Sequence, residues 1–345
     1  MKYLFYDDYS EGVAPQILDY IAQNNFDQQS GYCNDDYSKL ASDRIKQAFG
    51  LPDAAVHFLP NGTITNVVGL VSMLKPYEGV ISVVSGHINT HEAGAIEATG
   101  HKILWVSSSD GKLTPELIEE ANSRHEDEHT VMTRVVYVTQ PTELGTLYSK
   151  AELESVVRKA KSLGLYVFLD GARLAAALVS PVCDISIMDY GSLGIDMFYL
   201  GGTKNGGLYG EAMVIVNRQL QENFRYHIKQ RGALMAKGRI IGQQFARFFG
   251  NDRLYLQLAK NAYDCAKRLS DGLVELGVDI SPTGTNQLFP ILDNETISKL
   301  SESYGFYVWS KVDSTHSQIR LVTSWSCTLG VIDEFLKDLK AILQS

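Results

Sequence analysis

A single lysine, Lys204, stands in the stretch GGTKNGGL, residues 201–208, where four of eight residues are glycine and the apolar run MFYL has just ended. A lysine at a desolvated strand end has a lowered pKa and can condense with a carbonyl to a Schiff base. A second apolar run, LYVFL, ends in Asp170, Gly171, Ala172 and Arg173. A carboxylate buried at such a strand end is the partner that a pyridinium nitrogen requires. A third run, VHFLP, leads into Asn61, Gly62 and Thr63. A helix opened by Gly62 and Thr63 offers free backbone N–H groups and a hydroxyl to a phosphate dianion. Lysine, carboxylate and phosphate cradle together describe the needs of pyridoxal phosphate. Taken singly, each has a plainer reading: Asp170 as a strand-end turn, Lys204 as a solvated loop charge, Asn61–Thr63 as a capped helix start.

The elements that must position these residues alternate. DYSKLASDRIKQAFG predicts an amphipathic helix ending at Gly50, and VHFLP a short strand. GTITNVVGLVSML predicts a helix, GVISVVSG a strand, His91 to Thr99 a helix and KILWVS a strand. TPELIEEANSR reads as a helix capped by threonine with proline at its first position, RVVYVTQ as a strand, SKAELESVVRKAKSLG as a helix capped by serine, and LYVFLD as a strand. DISIMDYG, MFYLGGTK and EAMVIVN read as three further strands. Apolar rather than alternating strands between helices imply a mainly parallel sheet covered on both faces. After Asn217 a long helical region runs to about residue 275, followed by strands QLFPIL, FYVWSK and QIRLVTSW and a last helix, VIDEFLKDLKAIL. The expectation is a large α/β domain over residues 1–235 and a smaller α+β C-terminal domain over residues 236–345.

The formal charge of -9 argues against a nucleic-acid partner or an anionic membrane surface. No window approaches the roughly 20 apolar residues of a membrane span. Four scattered cysteines (Cys33, Cys183, Cys265, Cys327) give no C-x-x-C pair and no metal spacing, which points to a reducing, cytoplasmic setting without structural metal. No strand is followed by G-x-G-x-x-G and an acid about 20 residues on, so a dinucleotide fold is set aside.

LDGARL, a strand ending in Thr-Lys among glycines, PNGTITNV and GHINTHEAGA together resemble the threonine aldolase and β-eliminating lyase group of fold-type-I pyridoxal phosphate enzymes. The resemblance runs from DDYSEGVAPQIL near the N-terminus to IRLVTSWSCT near the C-terminus. It implies that Lys204 is the Schiff-base lysine and Asp170 the partner of the ring nitrogen. Gly62, Thr63 and Thr203 would hold the phosphate, and His87 would stack on the ring and serve, itself or through a water, as candidate base. Arg173 would lie close to the ring oxygen of the cofactor and, with Arg320, would bind the substrate carboxylate. For Arg320 the residues agree, since an arginine between Ile319 and Leu321 faces away from them by strand alternation. Asp7 falls where relatives place a serine that helps bind that carboxylate. In the group the site is shared between subunits of a homodimer or homotetramer. Tyr32 would come from the neighbour, and Arg231 and Lys237 would approach the partner's phosphate, although both also read as surface charges on a helix.

The implied reaction is retro-aldol cleavage of a small β-hydroxy-α-amino acid, L-threonine or L-allo-threonine, to glycine and acetaldehyde. β-Elimination or amino transfer on another small amino acid is the alternative. Three positions depart from the group's pattern: Pro141 stands about where better-known members place a histidine, Asp7 replaces the serine, and Ser324 replaces a frequent histidine.

Overall fold

The computed structural model describes residues 1–125, 127–280 and 284–344. The chain begins with β1 (Tyr3–Leu4), α1 (Pro15–Gln23) and α2 (Asp36–Phe49). It then builds a seven-stranded sheet from β2 (Ala55–Leu59), β3 (Glu78–Val83), β4 (Ile103–Val106), β5 (Met132–Thr139), β6 (Tyr166–Asp170), β7 (Met197–Gly201) and β8 (Glu211–Ile215). Between these lie α3 (Gly62–Met73), α4 (His87–Thr90), α5 (Pro115–Ser123), α6 (Lys150–Ser162) and α7 (Leu174–Val179).

The spatial order of the sheet is β2-β8-β7-β6-β5-β3-β4. All neighbours from β4 across to β7 are parallel, whereas β8 is antiparallel to both β7 and β2. Six strands therefore run one way and β8 runs against them, with Glu211 opposite both Gly201 and Leu59. Successive side chains alternate between two cores. Val136, Val138, Leu169, Phe198 and Val214 meet α2, α6 and a later helix, α9 (Arg239–Phe248), on one face. Val135, Tyr137, Phe168, Met197 and Met213 meet α3 on the other. Burial on both faces is why these strands read as continuous apolar runs.

Local chemistry fixes the helix ends. Asn61 caps α3 by accepting from the Ile64 amide, Thr114 caps α5, and Ser149 and Glu152 form a reciprocal capping box at α6. Two predicted elements differ. The helix expected over His91–Thr99 is interrupted, because Ala93 and Gly94 take left-handed φ values of 51° and 71° and only a 3₁₀ turn at Glu97–Thr99 remains. DISIMDYG forms no strand. Its aspartates serve as local acceptors, Asp184 for the Lys150 amide and Asp189 for the Ser186 amide and the Lys150 ammonium, and only a 3₁₀ turn forms at Asp189–Gly191.

After β8 come α8 (Phe224–Gln230), α9 (Arg239–Phe248) and the 22-residue α10 (Leu254–Glu275). The small sheet holds β9 (Asp279–Ile280), β10 (Gln287–Leu288), β11 (Pro290–Asp293), β13 (Tyr307–Lys311) and β14 (His316–Val322), with α11 (Asn294–Ser301), β12 (Tyr304–Gly305, paired with β1) and α12 (Leu329–Leu343) beside it. The apolar packing changes hands within α10, not at the expected 235/236 boundary. Ile241, Phe245 and Phe248 of α9 and Leu254 to Ala259 of α10 belong to the large core, and the small core begins at Cys265. The N-terminal Phe5 packs in the small core and Ala14 in the large one, so residues 5–14 tie the two together.

Candidate active site

The carboxyl ends of the parallel strands gather the polar residues singled out above, as expected for ligand sites in open α/β sheets. β6 ends at Asp170, the turn after β7 carries Lys204, the loop after β2 opens α3, and α4 begins at His87. A cavity of about 340 Å³ lies among them, lined by Gly62, Thr63, His87, Asp170, Thr203 and Lys204 together with Arg173. A second cavity of about 390 Å³ shares Tyr9, His87, Glu143, Arg173 and Lys204 with the first and extends to Arg320.

Asp170 is 4% exposed. One carboxylate oxygen accepts from the Ala172 amide, the other from the Tyr137 hydroxyl at 2.5 Å and the Asn66 amide at 3.1 Å. Burial alone would raise its pKa, but the His87 charge and hydrogen bonds from Tyr137, Tyr199 and Ala172 hold it below the ordinary carboxylate range. An anionic carboxylate kept in so apolar a setting suits a cationic ring nitrogen. Asn66 links it onward to Glu92, whose side chain is buried and lies 2.7 Å from His87 Nδ1. At the entrance of α3 the Ile64 amide is satisfied by Asn61, which leaves the amides of Gly62 and Thr63 as the first orphan donors of a 12-residue helix facing the cavity. These groups fit a phosphorylated pyridine: a dipole and two N–H groups at one end, an anion at the other, a lysine between.

Burial, reinforced by the Arg173 charge, lowers the pKa of Lys204, against opposing effects of Asp8, Asp170 and Glu211. The glycines around it serve close packing of the protein on itself. A Cβ on Gly201 would stand 1.9 Å from the Ala172 carbonyl oxygen and one on Gly202 2.5 Å from the Gly210 carbonyl oxygen.

The remaining predicted residues divide. Arg173 lines both cavities, but its Nε and one Nη donate to Asp8 at 2.7 and 3.0 Å, so one edge of its guanidinium is already paired. Asp8 is 1% exposed and also accepts from Asn286. Asp7 turns away: its carboxylate accepts from the Tyr9 amide and the Ser10 hydroxyl. Thr203 donates its hydroxyl proton to Glu211 at 2.9 Å and accepts from the Gly210 amide, which commits the group expected at the phosphate. Arg320 donates to the Tyr6 carbonyl oxygen, its guanidinium lies 4.9 Å from the Trp309 ring centroid, and its Nε is buried without a partner among the described residues. Tyr32, Arg231 and Lys237 line neither cavity. Tyr32 is 42% exposed on a turn where it and Cys33 both have φ near 60°.

Sequence reading missed four residues here. Glu211 accepts from the Gly202 amide and the Thr203 hydroxyl and is pushed up to about 7 by burial and by Asp170. Glu143 sits in the loop after β5, beyond Pro141. Asp8, next to Asp7 in the chain, is the carboxylate that turns inward, where it pairs with Arg173. His91 stacks on His87, with ring centroids 5.5 Å apart, and lines the outer cavity.

A mainly parallel sheet with a lysine and a carboxylate at adjacent strand ends, facing a helix N-terminus, defines a fold-type-I pyridoxal phosphate enzyme. The fold matches a mutant aspartate aminotransferase of Thermus thermophilus at a TM-score of 0.71, with 13% identity over 99% of this chain and 91% of that one. The chain belongs to the beta-eliminating lyase family, whose profile matches residues 7–295. It is 32% identical to the low specificity L-threonine aldolase of Pseudomonas aeruginosa over 98% of this chain and 96% of that protein. It is 43% identical to a structurally characterised threonine aldolase of Leishmania major, with a TM-score of 0.97 and 99% of both chains covered. Among the described residues no helix is long and apolar enough to cross a membrane.

Proposed function

We propose that this chain is a pyridoxal phosphate-dependent aldolase that cleaves L-threonine and L-allo-threonine between Cα and Cβ to glycine and acetaldehyde. The observation that carries the reading is one continuous site. Lys204 and Asp170 close the inner cavity opposite the N-terminus of α3, and Arg320 lines the outer cavity that the same lysine opens into. The relatives' names supply the reaction class.

Gly62, Thr63 and the helix dipole of α3 would hold the phosphate, Asp170 would keep the ring nitrogen protonated, and Lys204 would be the covalent anchor. Pyridoxal phosphate supplies an electron-accepting ring conjugated to the substrate amine. Arg320 binds the substrate carboxylate through the guanidinium edge that Tyr6 leaves open, a task for a planar donor. The paired Arg173 fixes the Asp8 side of the pocket and adds one remaining donor edge. Fixing the carboxylate sets the torsion about the Cα–N bond, and hence which Cα bond breaks. His87, held on Nδ1 by Glu92, would supply the aromatic face beside the cofactor. The enzyme works in the cytoplasm as a homodimer or a pair of dimers, with Tyr32, Arg231 and Lys237 offered to the neighbouring subunit.

The test is a visible absorption spectrum of wild type beside Lys204→Ala, before and after L-threonine and then L-allo-threonine, with product analysis. A visible band that the variant lacks, with glycine and acetaldehyde formed together, is the expected result. Ammonia with a keto acid assigns the site to elimination or transamination, and no band after reconstitution with pyridoxal phosphate overturns the reading.

A further inference from the structure

The cleavage needs a group to take the β-hydroxyl proton, and the histidine expected in the loop after β5 is absent: Pro141 stands there. Two residues on, Glu143 enters the site. Of the carboxylates lining the two cavities, Asp170 and Glu211 line the inner one alone, whereas Glu143 lines both. It therefore stands at their junction, where the Cα–Cβ bond must lie if the amine is at Lys204 and the carboxylate at Arg320.

Its geometry is fixed at both oxygens. Oε1 accepts from the His87 backbone amide at 2.9 Å and Oε2 from the Thr139 hydroxyl at 3.1 Å. The Thr142–Thr146 turn, closed by the Thr142 amide on the Thr146 carbonyl oxygen and by their two hydroxyls at 2.6 Å, braces the loop. Each carboxylate oxygen has a second acceptor site, so one remains on each for a ligand. His87, by contrast, has one ring nitrogen tied to Glu92 and its ring stacked on His91.

Resting on the aldolase reading, we propose that Glu143 is the acid–base residue of the carbon–carbon cleavage. Its carboxylate takes the proton of the substrate β-hydroxyl. The O–H pair becomes the second bond of the aldehyde carbonyl, and the Cα–Cβ bond breaks with its pair left on the glycine fragment. That fragment gains a proton at Cα, and Glu143 passes its own to solvent, so atoms and electrons balance.

The surroundings suit this use. Burial and then the Asp170 charge push the Glu143 carboxyl up to about 7, while its own backbone amide, the His87 charge and the Thr139 hydroxyl pull the other way. Arg173 faces it across the cavity, and Tyr137 and Tyr148 lie within its field. A base divided between its two forms near neutral pH is the efficient one.

The experiment compares wild type, Glu143→Gln and Thr139→Val holoenzymes. Glu143→Gln is expected to keep the cofactor band and to keep exchanging the α-proton of glycine into heavy water, a reaction without a β-hydroxyl. Its threonine cleavage falls roughly 10²- to 10⁴-fold. In wild type an acid limb in the kcat profile is expected, set by a Glu143 carboxyl whose value burial raises. In Thr139→Val that limb moves up by about one pH unit, because the charged form loses a hydrogen bond. Infrared difference spectra of the cofactor-free proteins should show a carboxyl titrating near 7 in wild type beyond that seen in Glu143→Gln. Cleavage by Glu143→Gln within threefold of wild type, or an acid limb unmoved in Thr139→Val, overturns the assignment. Should Glu143→Gln lose the band as well, the Thr139→Val profile and the infrared difference decide alone. Wild type that exchanges glycine but cleaves neither threonine isomer overturns the aldolase reading instead.

Discussion

Asp8 and Arg173 form a bidentate pair with Asp8 almost fully buried. Removing one partner leaves the other charge without its counterion in the same low-dielectric place, which costs about 3 kcal/mol or more. Asp8→Asn is therefore expected to lower the stability of the cofactor-free protein by about that amount, read from denaturant unfolding, and Asp7→Asn, on an exposed turn, by much less. Arg320 makes the converse case. It has one backbone partner and an unpaired buried Nε, so its fork is available to a ligand. Arg320→Lys should raise the KM for L-threonine roughly 10- to 100-fold, because a point charge replaces a bidentate donor. A KM unchanged within twofold would remove Arg320 from the carboxylate site. At this scale a cavity-lining position was legible where a residue type is rare in its setting, as with Lys204 among glycines. It was not legible between neighbours. Asp7 and Asp8 look alike in the chain, and only the strand-to-loop geometry sends Asp8 inward.

The ends of the parallel neighbours β6 and β7 run so close that no side chain fits between them. A Cβ on Gly171 would lie 2.1 Å from the Tyr199 carbonyl oxygen and one on Gly201 1.9 Å from that of Ala172, while the Gly201 amide donates to the Gly171 carbonyl oxygen at 3.0 Å. This close approach sets the spacing of Asp170 and Lys204. Gly171→Ala and Gly201→Ala should each cost roughly 1–3 kcal/mol and weaken cofactor retention, seen as loss of visible absorbance on dialysis. Gly62→Ala is the comparison: its Cβ would meet only the Tyr199 hydroxyl at 3.6 Å, so its melting temperature should match wild type. The same scale explains what sequence reading could not see. Candidate site residues were sought at the carboxyl ends of strands, and Asp170 and Lys204 do lie there and line one cavity. β8 runs the other way, so it delivers its first residue, Glu211, to the same edge. Nothing in EAMVIVN announces strand direction. The helix expected over His91–Thr99 likewise foundered on the left-handed Ala93, a conformation its side chain does not advertise.

The whole molecule couples these parts through charge and through close chain packing. Glu143 and Glu211 both stand near 7 in the folded protein, above the usual carboxylate value. Between about 4.5 and 7 the native state thus binds more protons than the unfolded chain, and stability falls as pH rises, by on the order of 1.4 kcal/mol per pH unit per group. Asp8 and Asp170 act oppositely, since their lowered values remove stability only as pH falls below the ordinary carboxylate range. The cofactor-free protein should therefore melt highest on the acid side of neutrality, and Glu211→Gln should flatten the fall towards pH 7.5 in thermal scans. The layout of an α/β domain and a smaller sheet was legible from strand and helix periodicity. The point where the cores part was not, because α10 is one uninterrupted amphipathic helix that serves both. What a single chain leaves outside its own cavities is equally informative. Tyr32 stands on two consecutive left-handed residues, a conformation that costs of order 1–3 kcal/mol each and persists where structure or function holds it. If it, Arg231 and Lys237 complete the partner's site, two inactive proteins should repair one another. Lys204→Ala mixed in equal amounts with an Arg231→Ala, Lys237→Ala double variant, after subunit exchange, would form half its dimers as hybrids, each with one intact site. About a quarter of wild-type activity is then expected. A mixture that stays inactive, while sedimentation shows exchanged dimers, would mean that each chain completes its own site.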